Sequence, residues 1–592
     1  LKEEQYDGEV SLYTYDKDGM LVKAKNSENL LEVIRDRKTG QIIEEKQGEH
    51  IVSRTYDGEG NCTRITSSLG ADIRHTYDRE GNLQTMQAGE SWQASWVRDN
   101  TGLEVQRTFS GGVTVSTERD RFGREVRKSV RSGGIERGAY RYEWGIANRL
   151  LSKENELTGT VMRYDYDRFD FLIRQETTQG SETDVIYRVP DFVGNLFGTP
   201  DRKDRKYGAG GKLLEDPDCF YHYDDEGNLI FREFKQLQET GVRYDRKRME
   251  KERGIRCLAT GTGWLYEWAS NGMLKKVIRP DGRPVEFRYD ALGRRTAKQY
   301  FGKVTHWVWD GNVPIHEWSY RISDMQPDKE ENGPSKEPTE DITTWVFEVG
   351  TFVPTAKIQE GKQYSIVSDY LGTPIQMYNE LGNKIWECTL DIFGEVTNFE
   401  GNSLNDCPFR YQGQYKDEET ELYYNRFRYY SQEIGGYLSQ DPIRLAGNNP
   451  TIYGYVRDTC TNTDPFGLMP WPNPINSGHH LVYANKARSV GLDHLASNTD
   501  TPTYFFNEPY APGTHERVHA SQRKFVGPRQ GPWTGSAEEL IEASKKGLIG
   551  LDDIKGKLII PSTGEILAEN ATPLEAFEKL EEWHKRKMAS IH

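Results

Sequence analysis

Five of the chain's twelve histidines, His479, His480, His494, His515 and His519, fall within 41 residues. A neutral imidazole ligates metal ions, and near its ordinary pKa of about 6.5 it can also take a proton from water at neutral pH. The segment Thr514-His-Glu-Arg-Val-His-Ala-Ser-Gln-Arg-Lys524 reads as a short helix, entered through the Pro512-Gly513 turn with Thr514 as its N-cap. Spacing of i, i+4 puts His515 and His519 on one helical face, within reach of a single ion. Arg517, Arg523, Lys524 and Arg529 cluster on and after the helix. Each reads either as a phosphate contact or as part of a solvated face. Together these parts suit metal-assisted phosphodiester hydrolysis: the ion stabilises charge on the phosphate and on the leaving oxygen, and an imidazole activates water.

The elements that must hold these residues begin after Leu468, where the composition changes abruptly and Met469-Pro-Trp-Pro-Asn-Pro474 makes a stiff linker. From there the sequence reads α+β. A capping box at Ser536-Ala-Glu-Glu539 starts one helix, a hairpin is centred on residues 558–567, and Thr572-Pro573-Leu-Glu575 starts the last helix. A His-His pair, an intervening Asn and an HxxxH helix resemble the ββα-metal core of HNH/endonuclease VII nucleases, including toxins with a GHH signature. The resemblance implies His479, His515 and His519 as metal ligands, His480 as general base and Asn507 as the residue that orients it. One divalent ion (Mg²⁺, Mn²⁺, Zn²⁺ or Ni²⁺) and a DNA substrate follow. The 35 residues from His480 to His515 make a longer gap than the colicin-like pattern has, and leave Asn498 open as the middle residue. His494 matches no position of the motif and reads as structural.

Residues 1–468 are organised differently. An aromatic-Asp pair, a short gap, Gly and a hydrophobic recur at roughly twenty-residue intervals, a period of the kind that marks repeat architectures. Examples are Tyr15-Asp16, Tyr56-Asp57, Tyr77-Asp78-Arg-Glu-Gly81, Tyr223-Asp224-Asp-Glu-Gly227 and Tyr289-Asp290-Ala-Leu-Gly293; Tyr142-Glu143-Trp144 and Tyr266-Glu267-Trp268 read as degenerate copies. Alternating runs such as Val113–Arg119 read as strands, the Asp-x-x-Gly tetrads as turns, and each copy as a hairpin. A lone hairpin cannot bury its face, so stacked copies must form one curling sheet.

These repeats resemble the Rhs/YD-repeat proteins. So do Ser368-Asp-Tyr-Leu-Gly-Thr-Pro374, Asp391-Ile-Phe-Gly394, Leu422–Tyr430, Gly436–Asp441 and Asp464-Pro-Phe-Gly-Leu468. The family's fold is a hollow β-shell, a spiralled sheet forming a cocoon around a C-terminal toxin. The resemblance implies a mainly β shell over 1–468, a core-terminal autoprotease region at about 420–468 and a nuclease toxin at 469–592. It further implies aspartate-dependent self-cleavage at Leu468–Met469 by Asp441 and Asp464 with Arg428. Two carboxylates held close do not both ionise easily, so one stays protonated while the other activates water. Thr459, Thr463 and Gly436 depart from the usual signature. Synthesis in a bacterial cytoplasm, secretion through upstream delivery components, action in the cytoplasm of a target cell and a cognate immunity protein are also implied.

Charge and composition limit the alternatives. Net charge is −15, yet 469–592 carries 14 Lys/Arg against 15 Asp/Glu, so almost all the excess acid lies in 1–468. An acidic shell repels nucleic acid, which places nucleic-acid chemistry in the near-neutral tail. Six scattered cysteines, without CxxC pairing, suit free thiols rather than a disulfide scaffold or a zinc site. No apolar run is long enough to span a bilayer, and residues 323–341 have the composition of a disordered loop. A start at Leu1 rather than Met reads as a fragment or processed product. A YD-repeat structural or adhesive surface protein would explain 1–468 but neither the boundary nor the histidines; a tail with RNase or other toxin activity is the remaining reading.

Overall fold

The computed structural model describes residues 2–6, 9–17, 19–238, 241–325, 338–444, 451–468, 481–495, 501–506, 514–527, 533–560 and 566–589. Most of the expected loop, at 326–337, lies outside them.

The first sheet has 18 strands, from Lys2–Tyr6 to Glu182–Tyr187, and the second has 16, from Lys206–Tyr207 to Val396–Gly401. In both, each strand pairs antiparallel with its neighbour in sequence. The fold is mainly β, as the repeats require.

The repeat has a plain physical cause. At Asp78 the backbone N–H reaches the Asn82 carbonyl at 2.9 Å and the Gly81 N–H reaches the Asp78 carbonyl at 3.0 Å. The carboxylate Oδ1 then accepts the amides of Glu80 and Asn82 at 3.1 and 2.8 Å. Gly81 takes φ +79°, which glycine adopts without strain. Register shifts by one residue just before each such turn, at Thr14/Tyr15, Thr55/Tyr56 and Thr76/Tyr77 among others. This bulge turns the aromatic ring back over the preceding hairpin. The Tyr56, Tyr77, Tyr166 and Tyr289 hydroxyls accordingly donate to the carbonyls of Ile42, Cys62, Leu150 and Leu274, at 2.7–3.0 Å.

That clamp also exposes repeats that an aromatic-Asp search misses. Arg98-Asp99 and Arg119-Asp120 form the same turn, and their guanidiniums reach the Leu83 and Glu104 carbonyls at 3.4 and 3.2 Å. The two degenerate copies need a shifted frame. The turns follow Trp144-Gly145 and Trp268-Ala269, rather than Tyr142-Glu143 and Tyr266-Glu267. There the indole N–H makes the backward bond, Trp144 to Glu125 and Trp268 to Leu229.

The apolar faces of the two sheets share one buried cluster, in which Val52, Trp92, Phe109 and Val130 meet Val308, Trp318, Val346 and Tyr378. Polar ties cross it, such as Trp92 Nε1 to Ser365 Oγ at 3.0 Å and Ser132 Oγ to the Gly382 carbonyl at 2.6 Å. All six cysteines are free, as expected.

The tail builds its own core from Leu481, Tyr483, Val518, Leu540, Leu558, Phe577 and Leu580. Besides helix α1 of the shell (Arg246–Arg253), the helices are α2 (Ala484–Ser489), α3 (Thr514–Val526), α4 (Ala537–Lys546) and α5 (Pro573–Ala589). The expected caps are present: Ser536 and Glu539 form a reciprocal box, and Glu575 and Thr572 exchange bonds at 2.7 and 3.2 Å. The expected hairpin is the pair Gly556–Ile559 and Ile566–Ala571, to which Thr503–Phe506 adds a third strand.

Candidate functional site

After the second sheet the chain forms a small four-stranded sheet that includes Leu422–Asn425, Arg428–Ser431 and Gly436–Tyr437. A tight turn joins the first two of these strands, with Arg426 at φ +58°. It aims Arg428 at the segment 464–468. The Arg428 side chain is stacked on the Tyr437 ring, 3.6 Å from its centroid, and is 1% exposed. One guanidinium nitrogen, Nη2, lies 3.0 Å from Asp441 Oδ2 and 3.5 Å from Asp464 Oδ2. The two aspartates named from the sequence are thus brought together on one cation, and they are 2% and 0% exposed.

The rest of the network fixes the chain end against them. Tyr437 Oη donates to Asp464 Oδ2 at 2.7 Å, and the Leu468 N–H donates to Asp464 Oδ1 at 3.0 Å. Arg428 Nε holds the Gly467 carbonyl, and Asn425 Nδ2 donates to the Asp464 carbonyl at 2.9 Å. Gly467 has φ +66°, and a Cβ there would lie 2.6 Å from the Asn425 carbonyl oxygen, so only glycine lets the segment approach Arg428. Burial pushes the Asp464 carboxyl above its ordinary pKa, and the Asp441 charge adds to this. Arg428, Tyr437 and the Leu468 amide oppose the rise without cancelling it.

The departures from the family signature fit locally. A Cβ on Gly436 would stand 2.8 Å from the Tyr453 carbonyl oxygen, so a larger residue would have to displace the bridge to Gly454. Thr459 Oγ1 donates to the Ile392 carbonyl at 3.0 Å, and Thr463 is buried.

In the tail, α3 forms where expected and carries positions 515 and 519 one turn apart. His519 Nδ1 lies 3.2 Å from Tyr483 Oη. His479, His480, Asn507, the alternative Asn498 and Arg529 lie outside the described residues, as does the side chain of His515. Among the described residues there is no group of three or more potential ligands close enough to hold a metal. Among the described residues, the strand Thr503–Phe506 precedes α3 and its partner Gly556–Ile559 follows it. Of the candidate phosphate contacts, Arg517 is paired with Asp553 at 2.9 Å and Lys524 is exposed.

Arg523 Nη1 donates across to Asn82 Oδ1 of the shell at 2.5 Å. Ala520 lies 3.2 Å from where a Cβ on Gly102 would stand, and Arg517 Cδ 3.8 Å from one on Gly123. Helix α3 therefore seats on three successive turns of the first sheet. A second pair of histidines, not foreseen as a pair, joins the two ends of the tail: His494 Nε2 and His584 Nδ1 are 2.6 Å apart, with their rings stacked at 4.9 Å. Ninety residues of separation in sequence conceal that contact.

Comparison with known proteins bears on both regions. The teneurin YD-shell family profile matches residues 110–452, more than half of the chain. The chain belongs to the teneurin YD-shell family. A second profile, described as toxin protein PT1, matches residues 475–588. Among curated relatives, "Probable deoxyribonuclease RhsA" of Dickeya dadantii is 26% identical over 76% of the chain and 29% of its own length. "Toxin protein Tse5" of Pseudomonas aeruginosa is 27% identical over 77% and 39%. "Double-stranded DNA deaminase toxin A" of Burkholderia cenocepacia is 26% identical over 79% and 33%. This YD-shell chain thus spans between about three tenths and two fifths of these relatives. The Photorhabdus luminescens Tc holotoxin pore shares the fold, with TM-score 0.53 and 16% identity over 79% of this chain and 25% of the other. Among the described residues, no helix is long and apolar enough to cross a membrane.

Proposed function

We propose that this YD-shell chain is the core and toxin portion of an Rhs-type interbacterial toxin, which cuts itself after Leu468 to free a nucleic-acid-degrading tail. The observation that carries the reading is the Leu468 amide seated on Asp464 while Arg428 holds both Asp464 and Asp441. In the proposed step the Asp464 carboxyl, its pKa raised by burial, takes the role of acid and gives a proton to the departing Met469 nitrogen. Asp441 accepts a proton from the attacking water, and the Leu468 carbonyl becomes a carboxylate. Purified full chain should run on a denaturing gel as two pieces divided between Leu468 and Met469, and Asp441→Asn or Asp464→Asn should run as one. A single uncut band from the unaltered chain would sink the proposal.

For the tail we infer a metal-dependent HNH-type DNA endonuclease. His479, His515 and His519 would hold one divalent ion, His480 would serve as base and Asn507 as its orienting partner. Arg517, Arg523, Lys524 and Arg529 would contact phosphate once α3 leaves the shell turns. The curated relative named as a deoxyribonuclease supports the substrate. Secretion, an immunity protein and action in the target cytoplasm follow from the same family reading. The released tail should nick plasmid DNA, stop in EDTA, and lose activity but not metal in His480→Ala.

A second reading has its own observation, the His494–His584 contact. Two imidazoles sharing a proton make a metal-free acid-base pair suited to cleaving RNA through its 2′-hydroxyl. RNA cutting that survives EDTA and fails in His494→Ala would favour it over the metal site.

A further inference from the structure

Behind the Asp464 turn lies a cavity of about 30 Å³, walled by Trp307, Trp309, Phe347, Phe409, Tyr411 and Tyr424. Pro465 closes one side, and a Cβ on Gly413 would stand 2.1 Å from the Pro465 carbonyl oxygen, so the packing there is tight. The polar groups on the lining are unusual in kind. Arg295 Nε, Trp307 Nε1, Arg410 Nε and Nη2, Gln414 Nε2 and Arg426 Nη1 are all buried donors with no hydrogen-bond partner among the described residues. The acceptor among these partnerless lining atoms is Gln414 Oε1. Tyr423 feels the Arg410 charge, but its hydroxyl is engaged with the Gly394 carbonyl at 2.7 Å.

Charge points the same way. Arg295 is neutralised by Asp417 at 2.5 Å, and Lys298 by Asp417 and Glu419. Arg410 and Arg426, 1% and 5% exposed, make their hydrogen bonds to no carboxylate among the described residues. Arg410 reaches the Cys407 and Phe409 carbonyls through Nη1 and approaches the Tyr423 hydroxyl, and Arg426 reaches the Leu292 carbonyl and Asn312 and approaches the Tyr424 hydroxyl, all of them neutral groups. A buried guanidinium without a counter-charge is costly, and a water molecule, which brings as many donors as acceptors, answers neither the excess of donors nor the charge. An anion answers both.

We propose that this cavity is a binding site for a small monovalent inorganic anion of halide size, held between Arg410 and Arg426 with N–H donors from Gln414 and Trp307. The volume admits one such ion or roughly two waters. Seated there, the ion would lie beside Pro465, the residue that follows Asp464.

The test uses the full chain. Crystals grown in sodium bromide should show an anomalous difference peak between Arg410 and Arg426, and Tm should be higher by a few degrees in chloride or bromide than in gluconate at equal ionic strength. Phosphate should give no such gain. Arg410→Met should remove the halide dependence, with Arg426→Met as an independent variant should the first fail to fold. An empty or water-filled cavity in bromide-grown crystals would overturn the proposal. So would a Tm indifferent to halide, or a halide effect that persists in both variants.

Discussion

At Asp99, in a turn of the first sheet, Oδ1 accepts the amide of Leu103, four residues on, at 3.1 Å. At Asp464, near the end of the shell, Oδ1 accepts the amide of Leu468, also four residues on, at 3.0 Å. The local rule is the same, but the carboxyls move in opposite directions. Partial burial pushes Asp99 up, but the Thr101 hydroxyl with the Thr101 and Leu103 amides outweighs it and holds the group below its ordinary range. Burial of Asp464 is complete and wins over Arg428, Tyr437 and the Leu468 amide. A turn cap becomes a candidate acid when the same hydrogen bond is taken out of water beside a second carboxylate.

The largest expected break of this comparison is Asp464→Asn, which should slow self-cleavage by at least ~100-fold, the usual order for loss of an acid-base group. Time-course gels would read it, while Asp99→Asn should cleave at the unaltered rate. Next is Gly467→Ala, where a Cβ meets both a positive φ and the Asn425 carbonyl. We expect a loss of roughly 2–3 kcal/mol in denaturant unfolding together with slower cleavage. Tyr77→Phe should cost about 1 kcal/mol, the worth of one hydrogen bond to the Cys62 carbonyl, and leave cleavage untouched.

The smallest effect is one of sign with pH. A depressed carboxyl contributes stability above its unfolded pKa of about 3.9, and that contribution is lost as pH falls through the folded value. Asp99→Asn should therefore lower Tm at neutral pH and converge on the unaltered chain as pH falls through the folded Asp99 pKa. A raised carboxyl does the reverse, costing stability as pH climbs past the unfolded value. Asp464→Asn should gain in Tm at neutral pH relative to acid. Melting curves of both variants across pH that moved in the same direction would refute the contrast.

How much of this the sequence disclosed depended on how local the cause was. A YD turn is closed by five residues, so Tyr77-Asp78 could be read directly; Arg98-Asp99 was hidden because a guanidinium makes the backward bond there in place of a phenol. Helices α4 and α5 were legible through their caps, and α3 through the Pro-Gly turn before it and its i, i+4 histidines. Asp441 and Asp464 were named from family signatures, yet their meeting on Arg428 brings two loop segments onto one strand and no spacing encodes it. The His494–His584 contact and the cations around Arg410 were illegible for the same reason, since each needs segments far apart in the chain. The fit of Gly436 against Tyr453 was visible only in three dimensions.

The backward clamp also bears on how the shell would come apart under load. Each Tyr, Arg or Trp ties its own hairpin to the one before it, so a pull on the chain end meets one latch at a time rather than the whole sheet. A repeat of about 21 residues, once unlatched, pays out about 70 Å of extended chain. Stretched between two handles, the shell should lengthen in near-equal steps of that size, a ratchet whose teeth are set by the spacing of its aspartates.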